Sequence, residues 1–295
     1  MTELARDRWA EWVLERRFGG NRDQYERGVG QLARFRERVL DNARLEPADT
    51  VLDVGAGDGL IAFGALERLG PGGSVVLCDV SEDLLEHTRA AATELGVVDR
   101  CSFVRASADD LAPIENDSVD VVTTRSVLIY LDRDGKRRAL AEFHRVLRSR
   151  GRVSIFEPIN RFGSPEPEGW FYGYDLTDVA DLVAKVIAVS SPAEENTLVD
   201  FDERDLLDWA TAAGFDPIRL DYEAELGPGS WFAGSWEAVL AIAPNPLAPT
   251  LGEAIEQALT ADERAAFESR LRPLVEANAG RRRMAGAYLS ATKPA

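Results

Sequence analysis

The chain has 295 residues with 51 acidic against 34 basic side chains, a net charge of −17, and is 45% hydrophobic and 29% charged. That is globular rather than disordered composition, and so acidic a chain repels phosphate backbones and anionic bilayers, which argues against nucleic acid and membrane partners. Two cysteines and two histidines exclude a disulfide scaffold and leave no expectation of a metal centre. The charged opening MTELARDRWAEW is unlike a signal peptide, and no run nears the roughly 18 apolar residues of a membrane span. A cytoplasmic α/β protein is expected.

The first 44 residues invert the charge bias, with ten Arg against eight acids. Trp9, Trp12, Val13, Leu32, Phe35 and Val39 recur at helical spacing around Phe18-Gly19-Gly20, which predicts two amphipathic helices in an N-terminal cap over 1–45. From there short β-rich runs alternate with helical stretches. Strands are predicted at 50–54, 74–79, 101–105, 119–124 and 152–157, with helices at 59–69, 81–95 and 135–149. This alternation implies a parallel sheet covered on both faces. Beyond Glu157-Pro158 the pattern breaks, then resumes with a helix at 202–213 and a strand at 215–223. It breaks again before helices at 250–258 and 261–276 and a last strand at 284–292. The parse is one domain over 46–295 with insertions at 158–200 and 226–283.

The strongest local signal is Val51-Leu52-Asp53-Val54-Gly55-Ala56-Gly57-Asp58-Gly59, an apolar strand running into a glycine-rich loop ahead of a helix. Glycines there let a ligand lie against the backbone, and the helix start offers unpaired N–H groups. A plain tight turn is the competing reading. The spacing G-x-G-x-G departs from the dinucleotide fingerprint, because position 60 is Leu. Asp79, at the end of the second strand, can accept from ribose hydroxyls; alternatively it is a helix-entry residue before Ser81. Loop and acid together indicate a nucleoside-containing ligand.

At these residues the chain resembles the class I methyltransferases that use S-adenosylmethionine (SAM). VLDVGAGDG resembles their first motif, VLCDVSEDLL the second and CSFVRASADDL the third; SVDVVTTRSVLIYL and EFHRVLRSRGRVSIFEP continue the order. The resemblance implies a Rossmann-like seven-stranded sheet with an antiparallel final hairpin, which DFDERDLLDWATAAGF and MAGAYLSATK fit. It further implies that Asp53 and the backbone at Gly55, Ala56 and Gly57 hold the methionine moiety of SAM, and that Asp79 holds the ribose with Val80 beside the adenine. The family often has Asp in the third motif; here Ser107 stands there, so Ser107 and Ala108 are expected at the adenine, ahead of Asp109. Arg125 is expected either to contact the cofactor through its backbone or to pair with an acid. SIFEPINRF resembles the branch that includes arsenite methyltransferases, but Cys78 and Cys101, on core strands and too far apart for a disulfide, cannot supply its arsenic-binding thiolates.

Methyl transfer from a sulfonium needs nucleophile, methyl carbon and sulfur held in line, and a base only where the acceptor is protonated. His87 reads as solvated and His144 as structural. Tyr130 and Glu157, at strand ends, are the candidates to orient or deprotonate an acceptor, or else to pin a cap by hydrogen bonding. Phe162, Trp170, Phe171, Tyr172 and Tyr174 fall within 13 positions, and Trp231, Phe232 and Trp236 form a second cluster. These line an apolar lid, or else pack the insertions' own cores; Tyr25 is a candidate for closure from the N-terminal cap. The expectation is methylation of a small, partly apolar acceptor in secondary metabolism, at O or N first with C open. Homodimerisation is left open. A non-catalytic SAM-binding protein and a nicotinamide-dependent oxidoreductase are the alternatives.

Overall fold

The computed structural model describes residues 6–19, 22–190 and 196–295, excluding the side chains of 22–27, 29 and 31, so the Tyr25 side chain lies outside it. The chain divides into two compact units, one made of 31–159, 197–223 and 286–295, the other of 1–30, 160–196 and 224–285.

The first unit is built on a seven-stranded sheet. Strands β1 (Thr50–Val54), β2 (Ser74–Asp79), β3 (Cys101–Arg105), β4 (Val119–Arg125) and β5 (Leu147–Pro158) are joined by parallel pairings. With β8 (Ile218–Pro228) and β9 (Arg281–Thr292) the order is β3-β2-β1-β4-β5-β9-β8, and β9 runs antiparallel to β5. The predicted central strands hold to within a residue at each end. β5 starts earlier than expected because Leu147 pairs with Val119 before a register shift. β8 starts later, after Pro217, which lacks an N–H for the ladder.

In-register pairing fixes which side chains share a face. Val51, Val75 and Val121 point the same way and pack against Val39 and Leu40 of α2 (Arg22–Ala43) and Ile61, Ala62 and Ala65 of α3 (Leu60–Arg68). The opposite face carries buried Leu52, Val122, Val153 and Ile155. On that side α5 (Arg133–Val146) lies against β5 and against α7 (Glu203–Ala213). Three of this unit's helices have a side-chain cap: the Ser81 hydroxyl accepts from Leu84 N–H ahead of α4 (Glu82–Glu94), the Asp132 carboxylate caps α5, and Asp202 with Asp205 forms a capping box on α7. Register sets Cys78 opposite Val104 and Cys101 opposite Val75, three positions apart or about 10 Å along the strands. Both thiols are free, and burial pushes the Cys78 thiol up to about 12.

The second unit holds a short hairpin, β6 (Trp170–Phe171) with β7 (Tyr174–Asp175), and the helices α6 (Ala180–Ser190), α8 (Trp236–Leu240), α9 (Leu251–Ala258) and α10 (Ala261–Glu276). Its N-terminal part starts with α1 (Arg8–Glu11), capped by Asp7, and a π-helical turn at Trp12–Arg16 whose Trp12 indole donates to Ala243 O at 2.9 Å. The aromatic clusters predicted to line a lid chiefly form this unit's own core. Phe171, Tyr174, Phe232, Trp236 and Phe267 are buried together, the Tyr174 hydroxyl donates to Phe232 O at 2.9 Å, and Tyr172 stacks on Phe232 with centroids 4.3 Å apart. The reason is area: with only a two-stranded hairpin, large rings supply the apolar surface that a wide sheet supplies elsewhere. Trp231 alone of the two clusters is strongly exposed, at 50%. Among the described residues no helix is long and apolar enough to cross a membrane, and no group of His, Cys, Asp and Glu could hold a metal ion.

Candidate functional site

The register sets Val54 of β1 opposite both Cys78 of β2 and Thr124 of β4, so the glycine loop leaves the sheet at the carboxyl ends of three parallel strands. Gly55 and Ala56 N–H both donate to Cys78 O, at 2.8 and 3.0 Å. Gly55, Gly57 and Gly59 all have positive φ, at +69°, +57° and +83°. At Gly55 a Cβ would also overlap the Val127 Cγ2 methyl, so this glycine is required by a close approach of chain to chain. Gly57 differs: among the described residues the nearest atom to its Cβ position is Gly55 O at 3.9 Å, so none of them closes that flank of the loop. Among those residues the loop is closed on one side and open on the other, as a cradle is.

Acids brace it. Asp79, 6% exposed, accepts from Gly57 N–H through Oδ2 at 2.9 Å and from Ser81 N–H through Oδ1 at 3.0 Å. It is therefore both the acid at the cradle and the helix-entry residue. Val80 beside it is 39% exposed. Asp53 is buried beneath, accepting from Ala62 N–H at 3.1 Å and from the Thr123 hydroxyl at 2.9 Å. Burial pushes its carboxyl up to about 7 against those two bonds and the nearby positive charge of Arg125. Asp53 thus ties the loop's exit helix to β4 from within, one oxygen to each. Arg125, half-buried at the end of β4, acts on Asp53 by charge.

In the third motif, Ala106 N–H donates to Asp79 O at 3.1 Å, which sets Ser107 and Ala108 directly after the neighbouring strand end. The Ser107 hydroxyl donates to Asp109 Oδ1 at 2.5 Å, and Asp109 also pairs with Arg138 at 2.7 Å. Burial raises the Asp109 carboxyl, but these two donors outweigh it and hold it below the usual range. Asp109 is thus committed within the fold, and Ala108 is 4% exposed.

Tyr130 is the last residue of a 3-10 turn, Leu128–Tyr130, that follows β4. Glu157 does not stand beside it as a free acid. It is 0% exposed, and its Oε1 accepts from Val127 and Leu128 N–H at 2.9 and 3.0 Å, its Oε2 from Ile129 N–H at 3.3 Å. Burial pushes the Glu157 carboxyl up to about 7, opposed by those donors and by Lys136. Glu157 thus pins the turn that carries Tyr130 through three backbone N–H groups. His87 is exposed, and His144 packs edge-on against Phe215 at 5.1 Å. Sequence reasoning missed Thr123, Val127 and Lys136. In-register alignment with Asp53 could have found Thr123, and the spacing of Lys136 from Ala139, Leu140 and Phe143 puts it on the interior face of α5.

The strand order and the reversed β9 are those of a Rossmann-like, mostly parallel seven-stranded sheet, as in solved methyltransferase structures. Residues 51–151 match the family model described as a methyltransferase domain. The chain is 30% identical over 155 residues to the ubiquinone/menaquinone biosynthesis C-methyltransferase UbiE of Psychromonas ingrahamii, covering 52% of this chain and 59% of that one. It is 36% identical over 158 residues to nocamycin O-methyltransferase of Saccharothrix syringae, covering 52% and 54%. The chain thus spans between half and three fifths of the length of these curated relatives. The structure of geranyl diphosphate C-methyltransferase from Streptomyces coelicolor A3(2), solved with Mg2+, geranyl-S-thiolodiphosphate and S-adenosyl-L-homocysteine, superimposes with a TM-score of 0.52 at 17% identity over 88% of this chain and 76% of that one, a likeness of fold.

The residues fit SAM. Among the described residues the flank of Gly57 is open, Asp79 offers a carboxylate at the strand end, and the buried Thr124 hydroxyl beside the loop has no hydrogen-bond partner. Asp79→Ala is expected to weaken binding of S-adenosylhomocysteine (SAH) by roughly 1–3 kcal/mol, from two lost hydrogen bonds; calorimetry on the folded variant checks it, and unchanged affinity removes Asp79 from the site. Asp53 and Glu157, raised to about 7, bind more protons folded than unfolded between their ordinary range and pH 7. Stability is therefore lost as pH rises through that window. The melting temperature should climb as pH falls from 8 to 6.5, less steeply in Glu157→Gln; equal slopes would show that Glu157 does not titrate there.

Proposed function

We propose that the protein transfers a methyl group from SAM to a small, partly apolar acceptor. The observation that carries this is the half-open glycine cradle braced by Asp79 on a domain of methyltransferase type. The relatives' names include one C- and one O-methyl transfer, so transfer to carbon or oxygen is the reading for the acceptor, and N-transfer ranks behind them. A net charge of −17 disfavours polyanionic acceptors such as RNA. The arsenite branch is not the reading: Cys78 sits in the core with its thiol pushed up to about 12.

SAM supplies an electrophilic methyl on a sulfonium, displaced in line. The chain's part is to hold the two partners and keep water out. Gly55, Ala56 and Gly57 would take the methionine end with their backbone, Asp79 the ribose diol, Val80 the adenine face, and Ser107 with Ala108 the adenine edge. Arg125 closes the strand end beside them. Tyr130, carried on the turn after β4, would orient the acceptor or take its proton.

Purified protein should bind SAH one to one by calorimetry and ignore NAD; binding of NAD alone would restore the oxidoreductase reading, and of neither, a fold without cofactor. Methyl-labelled SAM with a panel of phenols and hydroquinones should move label into the organic extract, and label in added RNA instead would overturn the acceptor class. With the acceptor so found, Tyr130→Phe should lower kcat by about 10- to 100-fold while SAH affinity holds. An unchanged kcat would retire Tyr130.

A further inference from the structure

Val127, Leu128 and Ile129 follow the end of β4, and the buried Glu157 carboxylate of neighbouring β5 accepts from all three N–H groups, those of Leu128 and Ile129 fully buried and that of Val127 partly so. At the far end of the same turn, Leu131 O accepts from Lys136 Nζ at 2.5 Å. That ammonium, 0% exposed, also donates to Thr197 O at 3.0 Å and Asp200 Oδ1 at 2.7 Å. A buried anion at one end and a buried cation at the other thus fix the turn. Its first side chain, Val127, occupies the space that a Cβ on Gly55 would take, so it forms the closed wall of the cradle.

We propose that Glu157 is a positioning residue for the cofactor cradle, acting through the Val127 wall on Gly55 and not on the acceptor. The inference rests on the reading of the glycine loop as the SAM site. Its physical basis is that N–H groups in a dry interior cannot stay unpaired. Without the carboxylate the turn moves toward water, Val127 withdraws from Gly55, and the loop loses the surface that confines its backbone. Glutamine is a poor replacement, because its amide NH2 would face a backbone N–H that needs an acceptor.

The test is SAH titration at pH 8, with thermal melting of each ligand-free variant to confirm folding. Glu157→Gln and Val127→Ala should each weaken SAH about tenfold, and the double variant should be no weaker than the worse single one, because both act on one contact. A merely structural loss of Glu157 would lower the melting temperature and leave affinity alone, or its loss would multiply with that of Val127→Ala; either result overturns the proposal. Should Glu157→Gln not fold, Glu157→Asp, which keeps the charge but draws the oxygens back, enters the same cycle with the same criteria. If the wild-type protein itself takes no SAH, the cofactor reading falls first and this inference with it.

Discussion

Where a chain leaves a parallel strand, the ladder stops but the backbone N–H groups continue, and in the interior each needs an acceptor. Much of the first unit follows from how this chain meets that demand. Cys78 O takes Gly55 and Ala56, Asp79 takes Gly57, Asp53 takes Ala62, and Glu157 takes Val127, Leu128 and Ile129. Three carboxylates at three strand ends serve as backbone acceptors, and together they set the shape of the loop, the helix after it and the turn facing it.

This use of acids has an electrostatic consequence. A buried carboxylate is easier to keep neutral, so Asp53 and Glu157 are both held near 7 by burial even though N–H donors and a neighbouring cation pull the other way. A strongly shifted acid at a site invites assignment as a general base. Here geometry gives both acids partners inside the fold: Glu157 takes three backbone N–H groups, and Asp53 one backbone N–H and the Thr123 hydroxyl. The acid at the end of β2 keeps a different standing, because among the described residues the glycine it braces has an open flank.

The second unit shows the same economy in apolar form. It draws on three separate stretches of chain; a cluster of rings, Phe171, Tyr174, Phe232, Trp236 and Phe267, joins two of them, and the Trp12 indole ties the N-terminal one to Ala243. Aromatic density in an insertion therefore reports on how a small unit builds a core before it reports on a ligand. Ion pairs on its surface include those of Lys185 with Glu263 and Arg16 with Glu253.

The sequence by itself determined the alternation of strands and helices and the glycine loop, because period and turn chemistry are written within a dozen residues, and it set Asp79 at the next strand end, 24 positions after Gly55; the class of cofactor came from the resemblance of these motifs, in their order, to the SAM-dependent methyltransferases. Only the tertiary structure decided what Glu157, Asp53, Lys136 and the aromatic clusters do. Their partners lie far off in the chain, Thr123 for Asp53, the 127–129 turn for Glu157, Asp200 for Lys136. A buried polar side chain has a role only through the group that satisfies it, and strand register, not sequence spacing, chooses that group.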